Sequence, residues 1–207
     1  MKVLNQDVLK KAELMENKFL DSIQGTHILL RKTNVDDAAD IFKWRSGTAG
    51  KFLRQPDNYS VESQKEWILS RGNNEINYII LDIKTQKKVG AIGIYDVNDF
   101  DKVANVGRLL LDDVFLTKST PFGLEALLLM YGYVLNSMQF RKITGDILVS
   151  NEPMFKLQKF LGMKQEGYLE KHTFINGNYE DLYIMSIFKE EFNNVYKKKI
   201  AFLLKNF

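Results

Sequence analysis

Cysteine is absent from the 207 residues, and histidine and proline are scarce. Without cysteine the chain forms no disulfide framework, no thiolate metal site and no cysteine nucleophile. The two histidines, His27 and His172, are too few for a multi-histidine metal site, so we expect no metal. Their scarcity also argues against a Ser-His-Asp triad. The missing cysteines fit a reducing compartment, and we expect a cytoplasmic protein.

Long apolar runs are missing as well. No stretch reaches the ~18 uncharged apolar residues of a membrane-spanning helix, and the N-terminal segment carries too many charges for a signal peptide. The net charge is only +3, and the five lysines and two glutamates of 189–207 account for all of it. The remaining chain is neutral, so we expect a soluble protein with neither a nucleic-acid nor a membrane partner.

Hydrophobic residues make up 45 % of the chain, which is enough for a real core. Apolar residues at helical spacing predict an amphipathic helix over roughly 5–23 that ends at Gly25. A strand follows at 26–32. Asn34 or Thr33 can cap a helix over about 35–46, and Ser60 can cap another that runs to Arg71.

From residue 76 onward, segments with the two-residue period of strands are followed by segments with the 3.6-residue period of helices. The strongest helix has apolar side chains at i, i+3, i+4 and i+7 from Leu124 to Met138, and a shorter helix covers 152–161 with Gly162 at its end. The dipeptide Asn176-Gly177 is a strong hairpin signal. Six strands are predicted, at 76–84, 89–97, 104–115, 142–150, 168–175 and 179–188.

This order of elements predicts a layered α/β (α+β) fold with a mixed, mostly antiparallel sheet and helices on both faces. We divide the chain into an N-terminal helical extension (1–25), one folded domain (26–188) and a C-terminal amphipathic helix (189–207). The loop at 118–123 joins a strand to the strongest helix, so its backbone N–H groups could bind a phosphate. An ordinary connector is the alternative.

Four segments in order, GRLLLDD, KSTPFGLEALLLMYGYVLN, RKITGDILVSNEPMFKLQKFLGM and EGYLEKHTFINGNYEDLYIMSIF, resemble the GCN5-related N-acetyltransferase (GNAT) superfamily. FKWRS and YSVESQKEWI match on the substrate side, so the resemblance covers about 26–188. It is strongest to the ribosomal-protein, spermidine and nucleotide-aminosugar N-acetyltransferases. The resemblance implies the acyl-CoA N-acyltransferase fold, with splayed parallel fourth and fifth strands, and acetyl-CoA as the co-substrate.

The resemblance also implies site residues. Pro121 stands where the family has its first loop glycine and removes one N–H donor. Asn151 matches an asparagine that contacts CoA, and it is also a natural N-cap for the next helix, roles that can coexist. The residues implied to cradle the CoA pyrophosphate are Lys118, Ser119, Thr120, Phe122 and Gly123.

Both usual acid/base positions carry amides. Gln158 stands where the family has a tyrosine that protonates the thiolate, and Asn105 stands at an acidic position. An amide cannot act as a general acid near neutral pH. The catalytic candidates are therefore Gln158 and Asn151 as hydrogen-bonding groups and His172 as a base, unless His172 is structural.

Trp44 and Arg45 lie where the family forms its acceptor pocket, and they are the candidate substrate-binding residues. Core packing is the favoured alternative for Trp44, and Arg45 could contact a phosphate of a nucleotide-sugar or simply be solvated. We expect transfer of an acetyl group to a primary amine, with a small molecule such as an amino-sugar nucleotide favoured as acceptor. A protein N-terminal acetyltransferase and a non-catalytic acyl-CoA-binding relative remain alternatives.

The C-terminal segment has a regular apolar helical face that includes Phe192, Ile200 and Leu204, together with several lysines. Such a helix packs on its own domain or on a second subunit, so a homodimer is possible. Binding to a membrane surface is the alternative.

Overall fold

The computed structural model describes residues 18–56, 58–116 and 120–205. Its eight strands form one sheet in the order β1-β2-β3-β4-β5-β6-β8-β7, in which only β5 and β6 are parallel neighbours. This confirms the mixed, mostly antiparallel sheet. The strands are β1 (Ser22–Gln24), β2 (Ile28–Lys32), β3 (Ile76–Asp82), β4 (Lys88–Asn98), β5 (Val103–Leu111), β6 (Lys142–Leu148), β7 (Lys164–Ile175) and β8 (Asn178–Phe188).

The helices of the described residues are α1 (Ala38–Arg45), α2 (Val61–Leu69), α3 (Asp113–Leu116), α4 (Phe122–Gly132), α5 (Glu152–Phe160) and α6 (Lys197–Leu204). A 3₁₀ turn (Val35–Asp37) precedes α1, and a π turn (Tyr133–Ser137) continues α4. Asn34 and Ser60 form capping boxes at the two predicted starts, which confirms both caps.

The helix predicted over 5–23 is wrong at its C-terminal end, because Ser22–Gln24 is strand β1. The N–H of Gly25 donates to the carbonyl of Ile28 at 2.8 Å, so the chain turns back and Ser22 pairs with Arg31. Here the edge of β2 overrides the local helical pattern, because pairing with β1 satisfies backbone N–H and C=O groups of β2 that a helix over 5–23 would leave unpaired. Residues 1–17 of the predicted helical extension lie outside the described residues.

Helices cover both faces of the sheet, as predicted. On one face α4 buries Leu127, Met130 and Tyr131 against the apolar side chains of β2, β3 and β4. On the other face α1 places Ile41 and Trp44 on Ile79, Ala91 and Leu110. The sheet therefore has little freedom to move, and it holds any side chain at its centre in a fixed position.

Strands β5 and β6 pair only over three residues, Val103↔Lys142, Ala104↔Ile143 and Asn105↔Thr144. Beyond Asn105 the two strands diverge. Here β5 also bulges, because Gly93 pairs with Gly107 but Ala91 pairs with Leu110. This is the splayed parallel pair that the sequence predicts; it is β5/β6 because β1 adds a strand at the edge.

The C-terminal segment packs on its own domain. Two helical turns (Lys189–Glu191 and Phe192–Tyr196) lead into α6, and Phe192, Ile200 and Leu204 are buried. The Phe192 ring meets the Tyr131 ring of α4 edge-on at 5.9 Å. No helix within the described ranges is long and apolar enough to cross a bilayer. The homodimer stays a prediction.

Asp37 ties α1 to the sheet. It is 1 % exposed, and it accepts hydrogen bonds from Arg31 at 2.8 Å and from the N–H of Asn34 at 2.9 Å. Lys88 lies 2.7 Å from the same carboxylate. Burial alone would raise the pKa of Asp37, but the bonds from Arg31, Asn34 and Lys88 outweigh burial and hold it below its ordinary value.

We expect Asp37→Asn to lower the free energy of unfolding at pH 7 by about 2 kcal/mol, since Arg31 loses its anion and Lys88 keeps only its pair with Asp40. The native pKa lies below the unfolded value of about 3.9, so the carboxylate's stabilisation is present above pH ~4 and is lost on acidification through the native pKa. The unfolding free energies of wild type and Asp37→Asn, measured by urea titration, should therefore converge at low pH. Asp36→Asn, an exposed position in the same turn, is the charge-matched control; an equal loss there would refute the network.

Candidate active site

The gap between β5 and β6 opens into a cleft of about 450 Å³. Its walls come from several separate parts of the chain, and we call this space the β5/β6 cleft. The lining includes Arg54 from the loop after α1, Tyr95 from β4, Gly107 and Arg108 from β5, Gly145 and Asp146 from β6, and Asn151 and Gln158 from α5. Both backbone and charged groups therefore face one enclosed space, as in ligand-binding sites.

Asp146 is the carboxylate of the cleft. It stands two residues beyond Thr144, the last β6 residue that pairs with β5, so alternation places it on the same face of the strand. Burial raises the pKa of Asp146, Asp96 raises it further, and His172 lowers it. A carboxyl group whose pKa moves toward neutrality in a cleft is suited to proton transfer.

Tyr95 reaches the cleft because β5 has a glycine beside it. A Cβ at Gly107 would come within 2.9 Å of the Tyr95 hydroxyl oxygen, so any side chain there would push the phenol aside. Burial, with a smaller contribution from Asp146, raises the pKa of Tyr95 to about 12. The phenol therefore stays protonated at neutral pH and can donate a hydrogen bond into the cleft.

The bulge in β5 is held by Arg108. This residue has φ of 54°, in the left-handed region where a non-glycine residue costs about 1 kcal/mol or more. Its guanidinium is fixed by Glu75 at 2.6 Å and by the Tyr95 ring at 4.3 Å. A bulged residue does not complete the ladder, so backbone N–H groups of the bulge can donate to a group in the cleft.

Asn151 and Gln158 both line the cleft. Asn151 accepts the N–H of Met154 at 3.3 Å, which confirms the predicted N-cap of α5. Gln158 is 4 % exposed, and its amide oxygen accepts a hydrogen bond from the hydroxyl of the fully buried Tyr131. The Gln158 oxygen is therefore engaged in the core, and its amide nitrogen lies 3.8 Å from the sulfur of Met154.

Asn105 sits at the closed end of the cleft. Its amide nitrogen donates to Asp96 at 3.0 Å, and its oxygen accepts from the Thr144 hydroxyl. The side chain thus joins the last paired residues of β5 and β6 and holds Asp96 close to the cleft. Asn105 orders the site without titrating.

The other predicted residues lie apart from the cleft lining. His172 is exposed on β7, near enough to Asp146 to affect its pKa. Trp44 is 3 % exposed, packs in the core and donates its indole N–H to Asp112 at 3.2 Å, so the structure does not bring it to the cleft. Arg45 lines a neighbouring pocket that shares Arg54 with the cleft.

The loop before α4 is described only from Thr120 onward, so Lys118 and Ser119 lie outside the described residues. The Thr120 hydroxyl is buried and has no hydrogen-bond partner within the described part of the chain. Phe122 and Gly123 open α4, and Pro121 at the N-cap provides no side-chain cap. Uncapped N–H groups beside an unpartnered buried hydroxyl fit a phosphate group.

Sequence reasoning missed Asp146, Tyr95, Arg108 and Arg54. A signal existed for Asp146, because aspartate is depleted in strand interiors and this one interrupts the apolar run of β6. No local signal marks Arg54, whose guanidinium donates to the Thr173 hydroxyl at 2.9 Å across 119 residues.

Residues 27–164 match the family model described as an acetyltransferase (GNAT) domain. A curated protein of Bacillus licheniformis, the uncharacterized N-acetyltransferase p20, is 21 % identical over 84 % of this chain and 99 % of its own length. A GCN5-related N-acetyltransferase from Brucella melitensis superposes with a TM-score of 0.76 at 17 % identity, covering 88 % of this chain and 85 % of that one. A spermidine N-acetyltransferase SpeG chimera from Vibrio cholerae and hSSAT gives 0.73 at 20 %, covering 82 % and 99 %.

Proposed function

Since the chain belongs to the GNAT acetyltransferase family and is an N-acetyltransferase, we propose that it acetylates the primary amine of a small molecule, such as an amino-sugar nucleotide, with acetyl-CoA as donor. The observation that carries the proposal is the β5/β6 cleft, in which a carboxyl group of raised pKa faces the bulged backbone of β5.

The residues around the cleft fit acetyl-CoA. Thr120 and the N-terminal N–H groups of α4 would hold the pyrophosphate, because both are donors without a protein partner in the described chain. Asn151 would contact the pantetheine arm between β5 and β6 with its remaining amide group. When bound, acetyl-CoA supplies a thioester whose acyl carbon an amine can attack.

Asp146 is the proposed general base. An amine reaches the protein mainly as an ammonium ion, and it must lose a proton before its lone pair can attack. The Asp146 carboxylate, which is open to the cleft, accepts that proton, and its raised pKa makes it a stronger base than an ordinary aspartate. Asp96 and His172 then adjust the pH at which Asp146 works rather than touching the acceptor.

The bulge of β5 and Tyr95 supply the hydrogen bonds. N–H groups freed by the bulge stabilise negative charge on an oxygen bound in the cleft, and their positions are fixed before the reaction begins. The protonated Tyr95 hydroxyl adds a donor at the same place. Gln158 orders the wall through Tyr131, so the proton for the leaving thiolate comes from the attacking nitrogen, which loses it as the amide forms, or from water.

The test is a titration calorimetry experiment with acetyl-CoA, followed by thiol release across amino-sugar nucleotides, simple amino sugars, spermidine and peptides with free N-termini. We expect micromolar binding of acetyl-CoA and turnover of the amino sugars above all others. Preferential turnover of peptides would favour a protein N-terminal acetyltransferase. Binding of acetyl-CoA without turnover of any amine would favour a non-catalytic acyl-CoA-binding protein. If acetyl-CoA does not bind at all, both the enzyme and the binding protein are rejected.

A further inference from the structure

A second pocket of about 270 Å³ lies beside the cleft and shares Arg54 with it. We call it the arginine pocket. Its lining contains no acidic residue among the described residues: Arg45, Arg54, Pro56, Tyr59, Ser63, Gln64 and Trp67. Because Arg54 faces both spaces, a molecule whose amine lies at Asp146 can extend its other end into this pocket.

Two buried donors of the arginine pocket lack hydrogen-bond partners among the described residues. The Nε of Arg45 and the amide nitrogen of Gln64 are buried, and neither has a hydrogen-bond partner in the described part of the chain. Gln64 is 3 % exposed, and its oxygen accepts a hydrogen bond from the Tyr59 hydroxyl at 2.7 Å. Buried donors are almost always satisfied, so each one points to a missing acceptor.

Among the described residues, positive charge around the arginine pocket exceeds negative charge. Among the described residues the arginines in ion pairs are Arg31, Arg71 and Arg108, and the last two share one carboxylate, Glu75. Neither Arg45 nor Arg54 has such a partner within the described ranges. The Arg45 guanidinium lies 5.4 Å from the centre of the Tyr59 ring and donates to the backbone carbonyl of Arg54.

Burial lowers the pKa of Arg45, as it does for a cation that has left water without gaining a counter-ion. A buried charge of this kind is costly unless a ligand neutralises it. Guanidinium groups match carboxylate and phosphate oxygens with two parallel hydrogen bonds. Two unpaired guanidinium groups balance a dianion better than a single negative charge.

Resting on the function proposed above, we infer that the arginine pocket binds a phosphoryl group of the acceptor, so the substrate class is a small primary amine that carries a phosphate ester. Arg45 and Arg54 neutralise the phosphoryl oxygens, and Gln64 donates to one of them. Trp67 forms a flat wall beside the body of the ligand. Polyamines, which carry only positive charge, are excluded by the same two arginines.

The substrate test compares three amines in the acetylation assay: glucosamine, glucosamine 6-phosphate and 2-amino-2-deoxygluconate, which carries a carboxylate. We expect kcat/KM to be at least tenfold higher for the phosphate ester than for glucosamine, with the carboxylate between them. Arg45→Gln should raise KM for glucosamine 6-phosphate about 10- to 100-fold, the effect of losing a charged hydrogen bond, with little change in kcat. Lys65→Gln, an exposed charge loss on α2, is the matched control and should change nothing.

A binding test does not depend on turnover. With coenzyme A at saturation, so that the loop before α4 is filled, inorganic phosphate should raise the melting temperature of the full chain and of Lys65→Gln. Arg45→Gln should abolish that rise, and Arg45→Lys should keep part of it. Gln64→Glu places a carboxylate inside the pocket and should also remove the response. It serves as the test variant if Arg45→Gln fails to fold.

The outcomes separate the two proposals. If no amine is acetylated but the phosphate response depends on Arg45, the pocket stands and the proposed function falls. If glucosamine and its phosphate are acetylated equally and phosphate has no Arg45-dependent effect, the pocket proposal is overturned while the function stands. An equal response of Arg45→Gln and wild type would mean that water satisfies the unpartnered donors, and it would overturn the inference.

Discussion

Asp146→Asn should lower kcat about 10²- to 10⁴-fold, the usual contribution of a general base, while acetyl-CoA binding stays unchanged. The substitution keeps the shape of the side chain and removes only its ability to accept a proton. Because the base works when it is ionised, wild-type activity should rise with pH through the raised pKa of Asp146. Steady-state kinetics from pH 5 to 9 with one acceptor and calorimetry with acetyl-CoA measure both quantities.

Substitutions of the neighbouring Asp96 and His172 provide the controls, and they should shift the pH profile in opposite directions. Asp96 raises the pKa of Asp146 and His172 lowers it. Asp96→Asn should therefore move the acid limb of the pH profile to lower pH, and His172→Gln should move it to higher pH, both with most of kcat retained. If His172→Gln abolishes turnover while Asp146→Asn leaves it intact, His172 is the base, as the sequence first indicated.

Gly162→Ala should cost about 3 kcal/mol of unfolding free energy, from two separate causes. Gly162 has φ of +97°, a conformation that an alanine adopts only with strain. A Cβ there would also lie 2.3 Å from ring atoms of Tyr196, in the helical turn before α6. The substitution should therefore loosen the C-terminal segment from α5, which limited proteolysis and a denaturant titration can detect.

Gly177→Ala separates the two causes. Gly177 also has positive φ, at +84°, but nothing lies within 4 Å of its added Cβ, so this variant should show only the backbone strain of about 1 kcal/mol. Combining Gly162→Ala with Tyr196→Ala should remove the steric part and give a favourable coupling energy. Equal losses for the two glycine variants and no coupling would contradict the contact with Tyr196.

Signals that act within a few residues were read correctly from the sequence. Asn34 and Ser60 cap their helices with side-chain bonds to backbone groups two or three residues away. Asn176 and Gly177 both have positive φ, as the hairpin turn requires. The motifs that led to the acyltransferase fold are ordered along the chain, so the splayed strands followed from them.

Signals that depend on distant partners were misread or missed. Ser22–Gln24 is a strand because β2 offers an edge, although the local pattern favoured a helix. The resemblance placed Gln158 beside the CoA sulfur, and it gave no sign that Tyr131, 27 residues earlier, donates a hydrogen bond to the Gln158 oxygen. For Trp44 the sequence left the acceptor pocket and core packing open, with core packing favoured, and the structure places it in the core around Ile79 and Leu110.

By itself, the sequence of this N-acetyltransferase determined most of its elements, their order and its family, because those depend on neighbouring residues and on motif spacing. Only the tertiary structure decided which polar groups share a cavity. The raised pKa of Asp146 depends on burial and on Asp96 across the sheet, and the donors of Arg45 and Gln64 that lack partners among the described residues are buried where α1 and α2 enclose them. Desolvation and the distance between charges arise when the chain is packed, and they set the chemistry of the site.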